Sequence, residues 1–218
     1  PLVTGVQTCA LPIFPKCWDY RHEPPHLDYI FLTFKKINHQ HWEAFQQNKL
    51  TKSEVLSERF VNYFKHHQME VDGHRADVLF RNGLAEAKVK YFDQTLETIV
   101  ELSKRHDLYI VTNGVTETQK RRLNQTPLHK YIKKIFISEE TGYQKPNPEF
   151  FNYVFNDIGE DERQHSIIVG DSLTSDILGG INAGIATCWF NFRGFDHNPG
   201  IIPDYEINSW KQLNDIVR

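Results

Sequence analysis

The sequence predicts an α/β fold in which a parallel sheet carries helices on both faces, with a smaller, wholly helical segment before it. Three observations predict this. Beyond Lys90, short β-branched runs alternate with amphipathic stretches of 8–12 residues, the spacing of βαβ units. From Lys35 to about Lys90, apolar residues instead recur every three to four positions. Two strand-like runs, LYIVTNG and SIIVGD, end in polar residues, where a parallel sheet collects its chemistry.

Each element has its own signal. FKKINHQHWEAFQQ places Phe34, Ile37, His41 or Trp42, and Phe45 along one helical stripe. Thr51 and Glu54 occupy the N-cap and capping-box positions of a second helix, in which Val55, Leu56, Phe60 and Phe64 share a face. ADVLFRNGLAEA forms a third. The α/β part then runs TLETIVELSKRH (helix), LYIVT (strand), TETQKRRLN (helix), KIFIS (strand) and NPEFFNYVFNDI (helix). It continues with SIIVG (strand), SDILGGINA (helix) and IATCWFN (strand), and closes on a short strand, YEI, and a helix, SWKQLNDIV. Residues 192–199 form a loop after the last strong strand, which reads more readily as a plain connection than as part of the mouth of the expected site.

Residues 1–26 are interrupted by prolines and show neither period. VTGVQTCALPI resembles the translation of a sequencing-adapter oligonucleotide, and PKCWDYRHEPPH that of a mammalian interspersed repeat. The implied reading is a chimeric, foreign or disordered leader over residues 1–35, with native sequence starting between Leu27 and Lys36. The run YIFLTF at 29–34 is β-branched and aromatic, and is expected to act as a surrogate strand in the sheet.

Composition excludes several classes. A net charge of −3 with 24% charged and 39% hydrophobic residues is that of an ordinary soluble domain, without the basic excess that nucleic acid requires. No run reaches the ~18 apolar residues of a membrane span, and no secretory signal pattern opens the chain. Cys9, Cys17 and Cys188 form no disulfide framework, so a reducing cytoplasm is expected, with Cys188 a small buried residue. His66, His67 and His74 fit no zinc spacing. Trp42, Phe60, Phe64 and Phe80 read as core of the helical segment rather than a nucleobase platform. Nothing in the sequence specifies an oligomeric state.

Three short motifs carry chemistry. Asp171 directly follows an apolar strand and Asp176 lies in the first turn of the next helix, an oxygen-only pair suited to Mg2+. Alone, Gly170-Asp171-Ser172 reads more readily as a helix cap. Thr112-Asn113-Gly114 ends another strand and offers a hydroxyl, an amide and backbone N–H groups to an anion, with Gly114 permitting close approach. Lys145, stiffened by Pro146 and Pro148, supplies a point charge for a phosphate oxygen, and Asn147 caps the helix that follows.

In this order and spacing, TNG, KPNPEFF and GDSLTSDI closely resemble the second, third and fourth signatures of the haloacid dehalogenase-like (HAD) hydrolases, over roughly residues 36–217. ISEETGYQKPNPEFF and GDSLTSDILGGINAGIATCWFN resemble its pyrimidine 5'-nucleotidase branch. The resemblance implies a Rossmann-like core over 91–218, a helical cap over 36–90, Mg2+, and hydrolysis of small phosphomonoesters, nucleotides above all, through an aspartyl-phosphate. It assigns the phosphoryl group to Thr112 with Asn113 and Gly114 beside it, charge neutralisation to Lys145, metal ligation to Asp171 and support of the metal to Asp176.

The family's first signature, a strand followed by Asp-x-Asp-x-Thr, supplies the nucleophile and the general acid–base. No Asp-x-Asp occurs in residues 1–36, where the acids are Asp19, Glu23 and Asp28. The expectation is therefore a nucleotidase of nucleoside monophosphates, truncated and inactive as it stands. The alternatives are a non-catalytic phosphate- or partner-binding remnant, or a sugar phosphatase or haloacid dehalogenase.

Overall fold

The computed structural model describes residues 2–6 and 25–217, which divide into two compact units. Residues 25–87 are helical: α1 (Pro25–Gln46), α2 (Lys52–His66) and α3 (Gly73–Glu86). The capping box at the start of α2 forms as its sequence demands, with Glu54 N–H donating to Thr51 Oγ1 at 3.3 Å and Thr51 N–H donating to Glu54 Oε2 at 2.7 Å. Trp42, Phe45 and Val55 are buried together. Phe34 meets Phe60, Tyr63 and Phe80 with ring centroids 5.1–5.5 Å apart. Beneath these rings the carboxylate of Asp77 binds two guanidiniums, Arg59 and Arg81, both at 2.6 Å.

Residues 2–6 and 88–217 form the second unit, built on six parallel strands. In chain order these are β1 (Leu2–Val6), β2 (Leu108–Thr112), β3 (Ile132–Ile137), β4 (Ile167–Gly170), β5 (Ala186–Phe190) and β6 (Tyr205–Ile207), arranged 3-2-1-4-5-6. The intervening helices are α4 (Thr95–Leu102), α5 (Thr116–Asn124), α6 (Ser138–Thr141), α7 (Pro148–Ile158), α8 (Leu178–Ala183) and α9 (Leu213–Ile216). Side chains alternate along a strand, so neighbouring positions enter different cores. Ile110, Val169 and Cys188 pack with Ile99 and Leu102 of α4 and with Trp210 and Leu213. Val111, Ile168 and Phe136 pack with α7 through Phe150, Phe151, Val154 and Phe155. Those four are fully buried, each side chain stabilising the fold by about 1.5–3 kcal/mol. The sheet is therefore covered on both sides, as a Rossmann-like core requires. Burial pushes the Cys188 thiol up to about 12, so this cysteine serves packing.

Two expectations about the leader differ from the structure. The run 29–34 is not a strand; it lies inside α1. The period of three to four that marks Phe34, Ile37 and His41 continues upstream through Ile30 and Leu27, and Pro25 is tolerated in a first helical turn. Helical continuity outweighs the β propensity of the run. The central slot is filled instead by Leu2–Val6, which pairs in register with β2 from Leu2↔Leu108 to Val6↔Thr112 and with β4 from Leu2↔Ile167 to Thr4↔Val169. Three β-branched residues in five suit a strand, although Gly5 weakens the signal. The rest of the leader, residues 7–24, lies outside the described residues.

Candidate functional site

β1, β2 and β4 are adjacent and parallel, so Val6, Thr112 and Gly170 end at one edge of the sheet. The loop entering α7 brings Lys145 to this edge. Asn113 grips the backbone of Lys145 from both sides: its Oδ1 accepts from the Lys145 N–H at 2.9 Å and its Nδ2 donates to the Lys145 carbonyl at 2.8 Å. The same Nδ2 reaches Ser175 Oγ at 3.5 Å. Lys145 is fully buried, and its Nζ donates to the Val111 carbonyl at 2.9 Å and to Asp176 Oδ1 at 2.5 Å. The third N–H of the ammonium has no partner among the described residues.

Asp176 is held as firmly. Its Oδ2 accepts from Ser172 N–H at 3.2 Å, while Ser172 Oγ accepts from Ser175 N–H at 3.2 Å and caps the π-helical turn Leu173–Ile177. Gly170 makes the arrangement possible. A Cβ there would stand 2.4 Å from Asp176 Cβ, Cγ and Oδ2. Asp171 contrasts with its neighbour: its Oδ1 is buried and has no hydrogen-bond partner, and its carbonyl accepts from Trp189 Nε1 at 3.1 Å. Burial, then the charge of Asp176, push the Asp171 carboxyl up to about 7, against the opposing fields of Arg193 and Lys145. A buried carboxylate oxygen without a donor is one that a cation would satisfy. Among the described residues no three metal-ligating side chains converge.

A family model for haloacid dehalogenase-like hydrolases matches residues 27–190 of this chain. The chain belongs to that family. Among its HAD relatives, the HAD-hydrolase YfnB of Bacillus subtilis is 43% identical over 184 residues, 84% of this chain and 78% of that protein. The pyrimidine 5'-nucleotidase PynA of Streptococcus pneumoniae is 33% identical over 183 residues, 83% of this chain and 76% of that protein. The crystal structure of YfnB bound to magnesium superposes with a TM-score of 0.87 at 37% identity, covering 100% of this chain and 97% of that one.

Of the HAD site residues expected from sequence, Thr112, Asn113, Lys145, Asp171 and Asp176 gather at one sheet edge. Gly114, Asn113 and Asp176 already hold partners within the chain. Gly114 offers no exposed N–H, because it is buried and its N–H donates to Thr112 Oγ1 at 3.0 Å. The space its missing Cβ leaves is filled by the side chain of Gln119, whose Nε2 would lie 2.4 Å from such a carbon. Asn113 spends its amide on the Lys145 backbone and so positions the lysine. Both oxygens of Asp176 are likewise engaged, whereas Asp171 Oδ1 has no hydrogen-bond partner. Sequence reasoning missed Ser175, fully buried beside Asn113, and the steric demand at Gly170. Their only signal was adjacency to Asp176 and Asp171.

Proposed function

We propose that this chain is the phosphate- and Mg2+-binding core of a nucleoside 5'-monophosphate phosphatase, without its attacking carboxylate within these 218 residues. The observation that carries the reading is the buried Lys145–Asp176 pair beside the unpartnered Asp171 Oδ1. Such a site stabilises a phosphoryl group electrostatically. Lys145 contributes its remaining N–H, Thr112 its hydroxyl, and Asn113 and Asp176 hold the lysine in place. Asp171 would ligate Mg2+ directly, with Asp176 behind it, and the ion when bound supplies Lewis-acid polarisation of phosphoryl oxygens. The nucleotidase relative PynA favours nucleotides as the substrate class. The two acids following β4 favour phosphate over haloacid chemistry.

Where β1 ends opposite Thr112, the chain has Val6, and Thr8 stands two residues on. Losing the nucleophile of a covalent mechanism costs about 10⁶ in rate, so hydrolysis by the parent chain is expected to be undetectable. The test is the double substitution Val6→Asp with Thr8→Asp, assayed with UMP, dUMP, dTMP and sugar phosphates, with and without Mg2+. The expected result is hydrolysis that depends on Mg2+ and prefers nucleotides. A folded double variant inactive on every ester would favour a binding remnant, and hydrolysis by the parent chain would refute the missing-nucleophile reading.

A further inference from the structure

β4 ends at Gly170, and the chain turns out of the sheet through Asp171. The peptide plane that follows Asp171 is clamped at both of its polar ends. Its carbonyl, that of Asp171, accepts from Trp189 Nε1 at 3.1 Å. Its N–H, that of Ser172, donates to Asp176 Oδ2 at 3.2 Å. A peptide unit is planar, so hydrogen bonds at its two ends fix its rotation. The residue before Asp171 is fixed as well, since Gly170 pairs in the sheet with the same Trp189. With the backbone set on both sides, the direction of the Asp171 Cα–Cβ bond is set too. Its Oδ1 has no hydrogen-bond partner of its own, so the aim of this oxygen depends on the backbone beneath it.

The two ends of the clamp are themselves anchored. Asp176 is held by the buried Lys145 ammonium. Trp189 is buried and packs with Ile177 and Ile201, against which Leu173 and Leu178 also lie. Leu173 and Ile177 are the first and last residues of the π-helical turn that carries Asp176. His197 meets the indole edge-on, with centroids 5.5 Å apart, and is bonded to Glu206 Oε2 at 2.7 Å. Glu206 Oε1 accepts from Asn191 Nδ2, also at 2.7 Å. An indole enclosed in this way keeps its single N–H on the Asp171 carbonyl. The ring therefore meets both acids: Asp171 through a hydrogen bond to its backbone, and Asp176 through packing against its turn.

We propose that Trp189 is a positioning residue for the metal-binding carboxylate: its indole N–H holds the Asp171–Ser172 peptide plane that aims Asp171. This rests on the reading of Asp171 as a Mg2+ ligand above. The test titrates the full chain with Mn2+ in place of Mg2+, followed by electron paramagnetic resonance, and records melting temperatures without metal. The proteins compared are the parent, Trp189→Phe, Ile201→Ala and Asp171→Asn. Trp189→Phe removes the N–H and is expected to weaken Mn2+ about tenfold or more, as loss of a partner that orients a ligand does. Ile201→Ala loosens the packing around the same ring but leaves its N–H, so it should lower the melting temperature and keep the parent's Mn2+ affinity. If Trp189→Phe does not fold, benzothienylalanine in place of Trp189 keeps the bicyclic shape, replaces the N–H by sulfur and should show the same loss. Two results would overturn the assignment and leave the metal site standing. One is Mn2+ binding that survives removal of the indole N–H while Asp171→Asn loses it. The other is affinity that follows melting temperature through both Trp189→Phe and Ile201→Ala, which marks the ring as packing alone. If the parent binds no Mn2+, or Asp171→Asn binds it as well as the parent, the metal reading itself fails and this assignment fails with it.

Discussion

Asp171 and Asp176 are five residues apart, share the same sheet edge and live in opposite electrostatic circumstances. Asp176 has an ammonium on one oxygen and a backbone N–H on the other. Asp171 has neither on Oδ1, and burial holds its carboxyl at about 7. The consequence for stability has a definite sign. The folded protein keeps this proton up to about pH 7, whereas the unfolded chain releases it near pH 4, so the folded state binds more protons between those values and stability falls as pH rises through them. Raising a carboxyl from near 4 to about 7 corresponds to about 4 kcal/mol, an upper bound for a half-buried side chain. Asp171→Asn should remove this slope: urea unfolding at pH 4.5, 6 and 7.5 should show the variant gaining on the parent toward high pH. Parallel pH dependences would mean that the carboxyl titrates normally. Mg2+, which needs the ionised form, should raise the parent's midpoint more at pH 8 than at pH 5.5 and should leave the variant unaffected.

At the scale of elements, β1 decides most, because both β2 and β4 hydrogen-bond to it. A proline in a central strand removes a ladder donor and is not tolerated there. Thr4→Pro should therefore abolish cooperative unfolding of the sheet unit and expose the edges of β2 and β4 to aggregation, visible as loss of strand signal in circular dichroism and as growth in scattering. A Thr4→Pro protein that unfolds like the parent would remove β1 from the sheet. This is also the element that the sequence concealed. A five-residue run with glycine inside it carries too little pattern to announce a strand, and its place becomes evident only from the gap between β2 and β4. The helix α1 was half legible: Phe34, Ile37 and Phe45 marked its later turns, while the aromatic and β-branched run at 29–34 disguised its beginning. The later strands were readable because apolar runs such as IIVG and YIVT are bounded by glycine and by polar turns. The polar residues at their ends were readable as strand-end positions for the same reason, although Gly170-Asp171-Ser172 alone reads as a helix cap and Thr112-Asn113-Gly114 alone as a turn. What pattern could not convey was the pairing: that Asn113 would grip Lys145, or that Asp176 rather than Asp171 would take the ammonium. Those partners are 31 or more residues apart in sequence and meet only in the folded sheet.

At the scale of the whole chain, the two units carry separate hydrophobic clusters: Trp42, Phe45 and Val55 in one, and those lining the sheet in the other. The helical unit also depends on one buried carboxylate. Asp77 is 1% exposed and binds both Arg59, itself 1% exposed, and Arg81. Removing one partner of a buried ion pair strands the other charge, at a cost of about 3–5 kcal/mol. Asp77→Asn should therefore destabilise α1–α3 by that order, because both of its partners, Arg59 and Arg81, lie in the same unit. Hydrogen exchange reads the two units separately. Amides of α2 and α3 should lose protection in the variant, those of β2, β4 and β5 should keep it, and phosphate binding at the Lys145 site should persist unless it draws on the helical unit. Equal loss of protection in both units would show that the chain unfolds as a single cooperative body, and that stabilising either unit stabilises the whole site.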